Sequence, residues 1–169
     1  MKSKIFYIAS ILFLLYSCVK PSPQSPANKE NKVDSTNINL RTMNEMLAQK
    51  EDSIIQEIIN RQTVSFNKTT SGIWYYKENE TTLDSLKNSS SVSFAYECYS
   101  LEGDYIKSQK IKTNFGKKEI PAGLEEGLTL MRKGEKMRLI VPWYLAYGMK
   151  GKDNIPPYTS LMYEITIDK

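Results

Sequence analysis

The chain is 169 residues long, with 23 basic against 19 acidic side chains, two cysteines and no histidine. That length holds one domain with extensions, and 40% hydrophobic with 25% charged residues is a globular composition. Lacking histidine, and with Cys18 and Cys98 outside any CxxC or metal-ligand spacing, the sequence excludes zinc enzymes, Cys-His nucleophiles and Ser-His-Asp triads.

The first element is a targeting segment. Lys2 and Lys4 precede an apolar stretch, Ile5 to Tyr16. It is shorter than the roughly 20 residues of a transmembrane helix and has the length of a secretory signal core. It runs into LYSC (15–18), which resembles a bacterial lipobox, although Tyr16 is bulkier than the small residue favoured there. Cleavage would leave Cys18 as the lipidated first residue of the mature chain, and acylation with more than one chain anchors stably. An ordinary secretory signal with a chance cysteine is the alternative. Losing residues 1–17 removes two lysines and no acid, so the net charge falls from +4 to +2. No electrostatic case for nucleic acid remains. Lipidation also spends Cys18 and leaves Cys98, a small apolar strand residue, with no disulfide partner. The expected location is the cell envelope. Val19 after the cysteine favours the outer membrane under the sorting rule of other bacteria, and the absence of a polyacidic stretch favours its periplasmic side.

Residues 19–37 carry three prolines and no aromatic residue, and form a disordered tether. Leu40, Met43, Leu47, Ile54, Ile55, Ile58 and Ile59 fall mostly at helical spacing, so 38–62 is an amphipathic helical lead-in. Lys50–Asp52 break that stripe, and Ser53 with Gln56 has the form of a capping box, so a second helix is expected to begin there. The lead-in packs on its own domain or serves as a homodimer contact.

From residue 63 a single domain is expected. GIWYY (72–76), SVSFAYECY (91–99), DYIKSQKI (104–111), KMRLIVPW (136–143) and SLMYEITI (160–167) have strand character. LDSLKNSSS is a polar loop, and LEGD (101–104) is a turn in which Gly103 takes a positive φ. AGLEEGLTLMRKGE (122–135) is one short helix with Leu124, Leu128 and Met131 on one face and Gly134 at its stop. Adjacent helical residues do not face each other, so Glu125 and Glu126 are no catalytic carboxylate pair. The fold class is α+β, an antiparallel sheet wrapped on one short helix. PWYLAYGMKGKDNIPPYTSL (142–161) stands out: its prolines and glycines forbid a long helix, yet it holds four aromatic residues.

YECYSLEG (96–103), GLEEGLTLMRKGE (123–135), AYG (146–148) and IPPYTSLMYEI (155–165) follow one another at the spacing of FK506-binding-protein (FKBP) type peptidyl-prolyl isomerases, which residues 88–169 resemble. The signal, tether, helical lead-in, GIWYY and LMRKGEK are similar to the gliding-motility-associated FKBP lipoproteins of Bacteroidetes. The resemblance implies an FKBP-like sheet, an apolar pocket for a proline ring and prolyl isomerase activity without metal or cofactor. It assigns Tyr147 as the donor to a substrate carbonyl, and Tyr96, Ile120, Leu124, Ile155 and Tyr163 as pocket residues. Ile106 and Lys107 stand where the family has Phe and Asp, and Ile111 where it has Phe. Pro121 stands where it has an isoleucine whose backbone N–H binds substrate. Lys107 by itself reads as a solvated strand residue, and KGKD (150–153) as a solvated flap.

Such chemistry fits a chain without histidine. The barrier to turning an X–Pro bond, about 18–20 kcal/mol, is lost amide resonance, and no proton has to move. A twisted amide has less charge separation than a planar one, so a dry apolar pocket binds it better. The implied partners are X–Pro segments of exported proteins with an apolar residue before proline. The altered pocket positions motivate an alternative, a non-catalytic module that holds proline-containing or unfolded segments.

Overall fold

A computed structural model describes residues 35–86 and 91–168. The signal stretch, Cys18 and the tether up to residue 34 lie outside the described residues. In chain order the elements are α1 (Ser35–Asn60), β1 (Asn67–Lys68), β2 (Trp74–Lys77), β3 (Ser91–Ser100), β4 (Tyr105–Asn114), α2 (Ala122–Thr129), β5 (Lys136–Val141), a 3-10 turn (Trp143–Leu145) and β6 (Leu161–Ile167). The six strands form one antiparallel sheet in the order β1-β2-β5-β6-β3-β4. The chain divides into two compact units. The described part of the first is the beginning of α1, up to Arg41. The second, from Thr42, holds the rest of α1, the sheet and α2.

The expected α+β class and the strand set hold, with four corrections. Helix starts at Ser35, inside the stretch expected to be tether. α1 is one uninterrupted helix, and no second helix starts at Ser53. The Ser53 hydroxyl instead donates to the Gln49 carbonyl one turn back, 3.1 Å away. The polar break in the stripe is a set of docking contacts: Glu51 accepts from Ser160, and Asp52 accepts from Trp74 Nε1 at 3.3 Å and pairs with Lys68 at 2.5 Å. Third, α2 ends at Thr129 rather than at Gly134. Gly134, at φ 77°, belongs to the turn into β5. That turn is fastened by the buried Glu135, which accepts from the Arg132 backbone N–H at 2.9 Å and pairs with Lys77 at 3.0 Å. Fourth, the two-residue β1 has no periodicity to announce it.

The sheet is covered on both faces. On one, α2 buries Leu124 and Leu128 against Phe94, Leu139, Tyr163 and Ile165 in the main core. α2 lies close to β5 because Gly123 and Gly127 carry no side chain. A Cβ at Gly123 would collide with Val141, and one at Gly127 with Leu139. On the other face, Ile55 and Ile59 of α1 pack with Phe66, Trp74 and Ile140. β6 shows strict alternation, with Leu161, Tyr163, Ile165 and Ile167 buried and the residues between them partly exposed. No helix among the described residues is long and apolar enough to cross a membrane.

Candidate functional site

The aromatic loop serves two ends. Trp143 packs edge-on against Tyr144 and Tyr158, with ring centres 5.5 and 4.9 Å away. The Trp143 backbone N–H donates to the Ser160 hydroxyl at 2.8 Å. These three aromatics hold the loop's own shape. The chain then turns back at Gly151, where a Cβ would strike the Ile155 carbonyl, and Lys152 and Ile155 exchange two backbone hydrogen bonds of 2.9 and 2.8 Å. Only Tyr147 of the four packs against the main core.

All eight residues expected at the pocket belong to the main core or pack against it, but of them only Ile120 and Tyr147 border an open groove. Tyr96, Leu124, Ile155 and Tyr163 are at most 5% exposed, and Ile106, Ile111, Ile120 and Tyr147 lie partly buried against them. Cys18, the ninth assigned position, lies outside the described residues. Tyr96 meets Tyr163 edge to face at 5.6 Å. The open groove, of about 720 Å³, is bordered by Ile120, Pro121, Ala146 and Tyr147, with Lys118, Glu119, Glu125, Glu126 and Lys152 also in its lining. A separate depression of about 530 Å³, away from Tyr147, is bordered by Tyr96, Glu97, Lys110, Lys136 and Glu164.

Ile106 reaches the core through a β-bulge. β3 and β4 pair Cys98 with Lys107 and then Tyr99 with Tyr105, leaving Ile106 as the extra residue. A bulge re-aims side chains in this way. Ile106 packs on the core, and Lys107 comes to rest with its Nζ 5.8 Å from the centre of the Tyr147 ring. Lys107 is therefore not merely a solvated strand residue, because the bulge brings it over the site. Lys152 of the flap approaches the same ring, at 5.6 Å. Pro121, buried at the start of α2 with φ −54°, has no N–H to offer a substrate.

Burial dominates the electrostatics. It pushes the Tyr147 phenol up, with Cys98 and Asp153 adding and the Tyr163 hydroxyl opposing. The Tyr163 phenol is pushed far up, first by burial and then by its neighbours Cys98, Tyr147 and Tyr96. Tyr96 is pushed up to about 12 and Cys98 to about 11, so both stay protonated at neutral pH. Cys98 is fully buried, a packing residue rather than a nucleophile.

Gln109 was not anticipated. It accepts a 2.6 Å hydrogen bond from the Tyr96 hydroxyl. Its strand spacing of two from both Lys107 and Ile111 is the signal that could have found it. Glu119 ties down the approach to α2 by accepting from the Thr113 hydroxyl and the Asn114 N–H, both at 3.0 Å, and these bonds hold its carboxyl below the usual range. Glu125 accepts from the Gly116 N–H and Glu126 from the Ser71 hydroxyl, each at 2.6 Å, so the two carboxylates point to different partners.

The sequence model of the family described as FKBP-type peptidyl-prolyl cis-trans isomerase matches residues 84–168, and the chain belongs to that family. Among curated relatives, it is 29% identical over 105 residues to the FKBP-type peptidyl-prolyl cis-trans isomerase FkpA of Buchnera aphidicola, covering 59% of this chain and 43% of that protein. It is 41% identical over 56 residues to the macrophage infectivity potentiator of Trypanosoma cruzi, covering 32% and 29% of the two chains. The chain thus spans less than half the length of either relative. The fold is similar to a Pseudomonas syringae peptidyl-prolyl cis-trans isomerase, with TM-score 0.62 at 21% identity over 74% of this chain and 93% of that one. It is also similar to Escherichia coli FkpA, with TM-score 0.61 at 18% identity over 100% of this chain and 81% of that one.

Proposed function

We propose that this chain is a peptidyl-prolyl cis-trans isomerase that assists the folding of exported proteins, held in the cell envelope through a lipid on Cys18. The observation that carries the catalytic reading is the placement of Tyr147 at the edge of an open groove, directly on the main apolar core. A proline ring seated there loses water, and the Tyr147 hydroxyl is the donor that holds a neighbouring carbonyl while the amide twists. The substrates are X–Pro segments with an apolar residue before proline. The likeness of the signal, tether and lead-in to gliding-motility-associated lipoproteins supports an outer-membrane, periplasm-facing position and a part in gliding. Exposed Leu40, Met43, Met46 and Ile54 on α1 support a homodimer through residues 38–62.

Exchange NMR tests the enzyme reading, using the chain freed of its signal stretch at catalytic ratio with a Leu-Pro-Phe peptide. Acceleration that drops several-fold in Tyr147→Phe is expected, since one hydroxyl donor to a neutral carbonyl contributes about 0.5–1.5 kcal/mol. No acceleration, with peptide resonances still shifted, selects the second reading, a module that holds rather than turns proline. Pro121 favours that reading, because it removes a backbone donor where the family has one. Unchanged mass on replacing the exposed Leu40, Met43, Met46 and Ile54 by glutamine would dispose of the dimer.

A further inference from the structure

We propose that the groove selects proline segments carrying an acidic side chain within two residues of the proline, and that Lys107 and Lys152 read that charge. This deepens the isomerase reading and rests on it for the seat of the proline.

The two ammonium groups come from different elements, β4 and the flap, yet both lie within 6 Å of one ring, at 5.8 and 5.6 Å from its centre. Neither has a carboxylate within ion-pair distance among the described residues. A third cation, Lys118, borders the groove. Glu119, Glu125 and Glu126 border the groove as carboxylates, so its lining as a whole is not cationic; each is tied by hydrogen bonds to the fold itself. The acid felt by Tyr147 is Asp153, exposed on the flap. At the Tyr147 ring two lysines without an ion-pair partner therefore stand beside one carboxylate. Cations over a ring face are attracted only modestly when water reaches them, so both remain available to a stronger anionic partner.

Reach agrees with this arrangement. Two residues of extended chain span about 7 Å, so with proline against Tyr147 the side chains flanking the X–Pro pair fall within range of both ammonium groups. The residue directly before proline stays apolar and faces the cluster. The acid belongs one step further out on either side.

The test uses the chain freed of its signal stretch and blocked peptides Glu-Leu-Pro-Phe and Leu-Pro-Phe-Glu, each beside its Gln counterpart. Binding is read by NMR titration and turnover by exchange. A partly exposed ion pair is worth up to about fivefold, so the Glu peptides should bind and turn over about three- to fivefold better than their Gln counterparts for each lysine engaged. Raising salt from about 20 mM to about 0.5 M should shrink that ratio toward one, because screening acts within a few ångströms at the higher value. Lys107→Met with Lys152→Met should also abolish the ratio, with the Gln peptide in the same variant serving as internal reference. Should that variant fail to fold, the salt titration of the unaltered chain decides. Equal binding of Glu and Gln peptides at low salt would overturn the charge selection while leaving isomerisation intact. A Glu preference that survives high salt would place it elsewhere than on these lysines and overturn it too. Absent turnover with a Glu preference in binding would instead remove the enzyme reading and keep the selection.

Discussion

The two faces of the sheet are closed by different physics. The α1 face combines a small apolar cluster with paired polar ties: Glu51 to Ser160, and Asp52 to Trp74 and Lys68. The α2 face is a larger apolar core in which the polar neighbours of the Tyr163 hydroxyl are Cys98, Tyr147 and Tyr96. The α1 face is thus tied in part by polar pairs, whereas the α2 face, which carries Tyr147 and the groove, is held chiefly by apolar burial.

The largest expected effect comes from paired cavity substitutions. Leu124→Ala and Ile55→Ala each remove a fully buried aliphatic side chain and should each cost about 2–5 kcal/mol in denaturant unfolding. At a temperature where both remain folded, only Leu124→Ala should weaken capture of a Leu-Pro-Phe peptide. Equal loss of capture would break the division of labour between the faces. Tyr163→Phe sharpens it from the other side. Removing a hydroxyl whose polar neighbours are Cys98, Tyr147 and Tyr96 should change stability by at most about 1.5 kcal/mol. A larger loss would mean that a polar tie holds this face too. Glu51→Ala should cost about 1.5 kcal/mol, as expected for a hydrogen bond to a charged group, and should leave peptide exchange rates unchanged. A change in those rates would couple the two faces.

The smallest effect near neutral pH is the titration of the α2 face. Cys98 is raised from 9.0 to about 11 and Tyr96 from 10.0 to about 12, both chiefly by burial. Each group therefore ionises first in the unfolded chain. The stabilisation they contribute is complete below pH 9 and is lost as the pH climbs through 12. Thermal melting should be flat with respect to these groups from pH 7 to about 9 and fall above it. Cys98→Ala should flatten the first part of that fall.

Much of this was legible in the chain, and the failures have physical causes. Strict alternation in residues 161–167 announced β6, because successive strand side chains point to opposite faces and only one face of β6 is fully buried. The spacing of Leu124 and Leu128 announced α2, but its end was misplaced. Met131 continues the apolar pattern from a turn instead of a helix, and Gly134 punctuates that turn. The single helix α1 was hidden by Lys50–Asp52, where the apolar stripe pauses and charged residues dock instead. Lys107 could not be placed at the site, since strand alternation carries no sign of a bulge.

By itself the sequence determined the α+β class, the burial pattern of the strands and the exclusion of histidine-based chemistry. These follow from side-chain chemistry and short-range periodicity, which a linear chain displays openly. The tertiary structure alone decided which aromatics of the 142–161 loop brace one another and which one meets the core. It also decided that Glu51 and Asp52 face the sheet, that Tyr163 is buried beside Cys98, Tyr147 and Tyr96, and that Lys107 and Lys152 converge on one ring. Each of those depends on contacts between residues far apart in the chain, and no local preference encodes such a meeting.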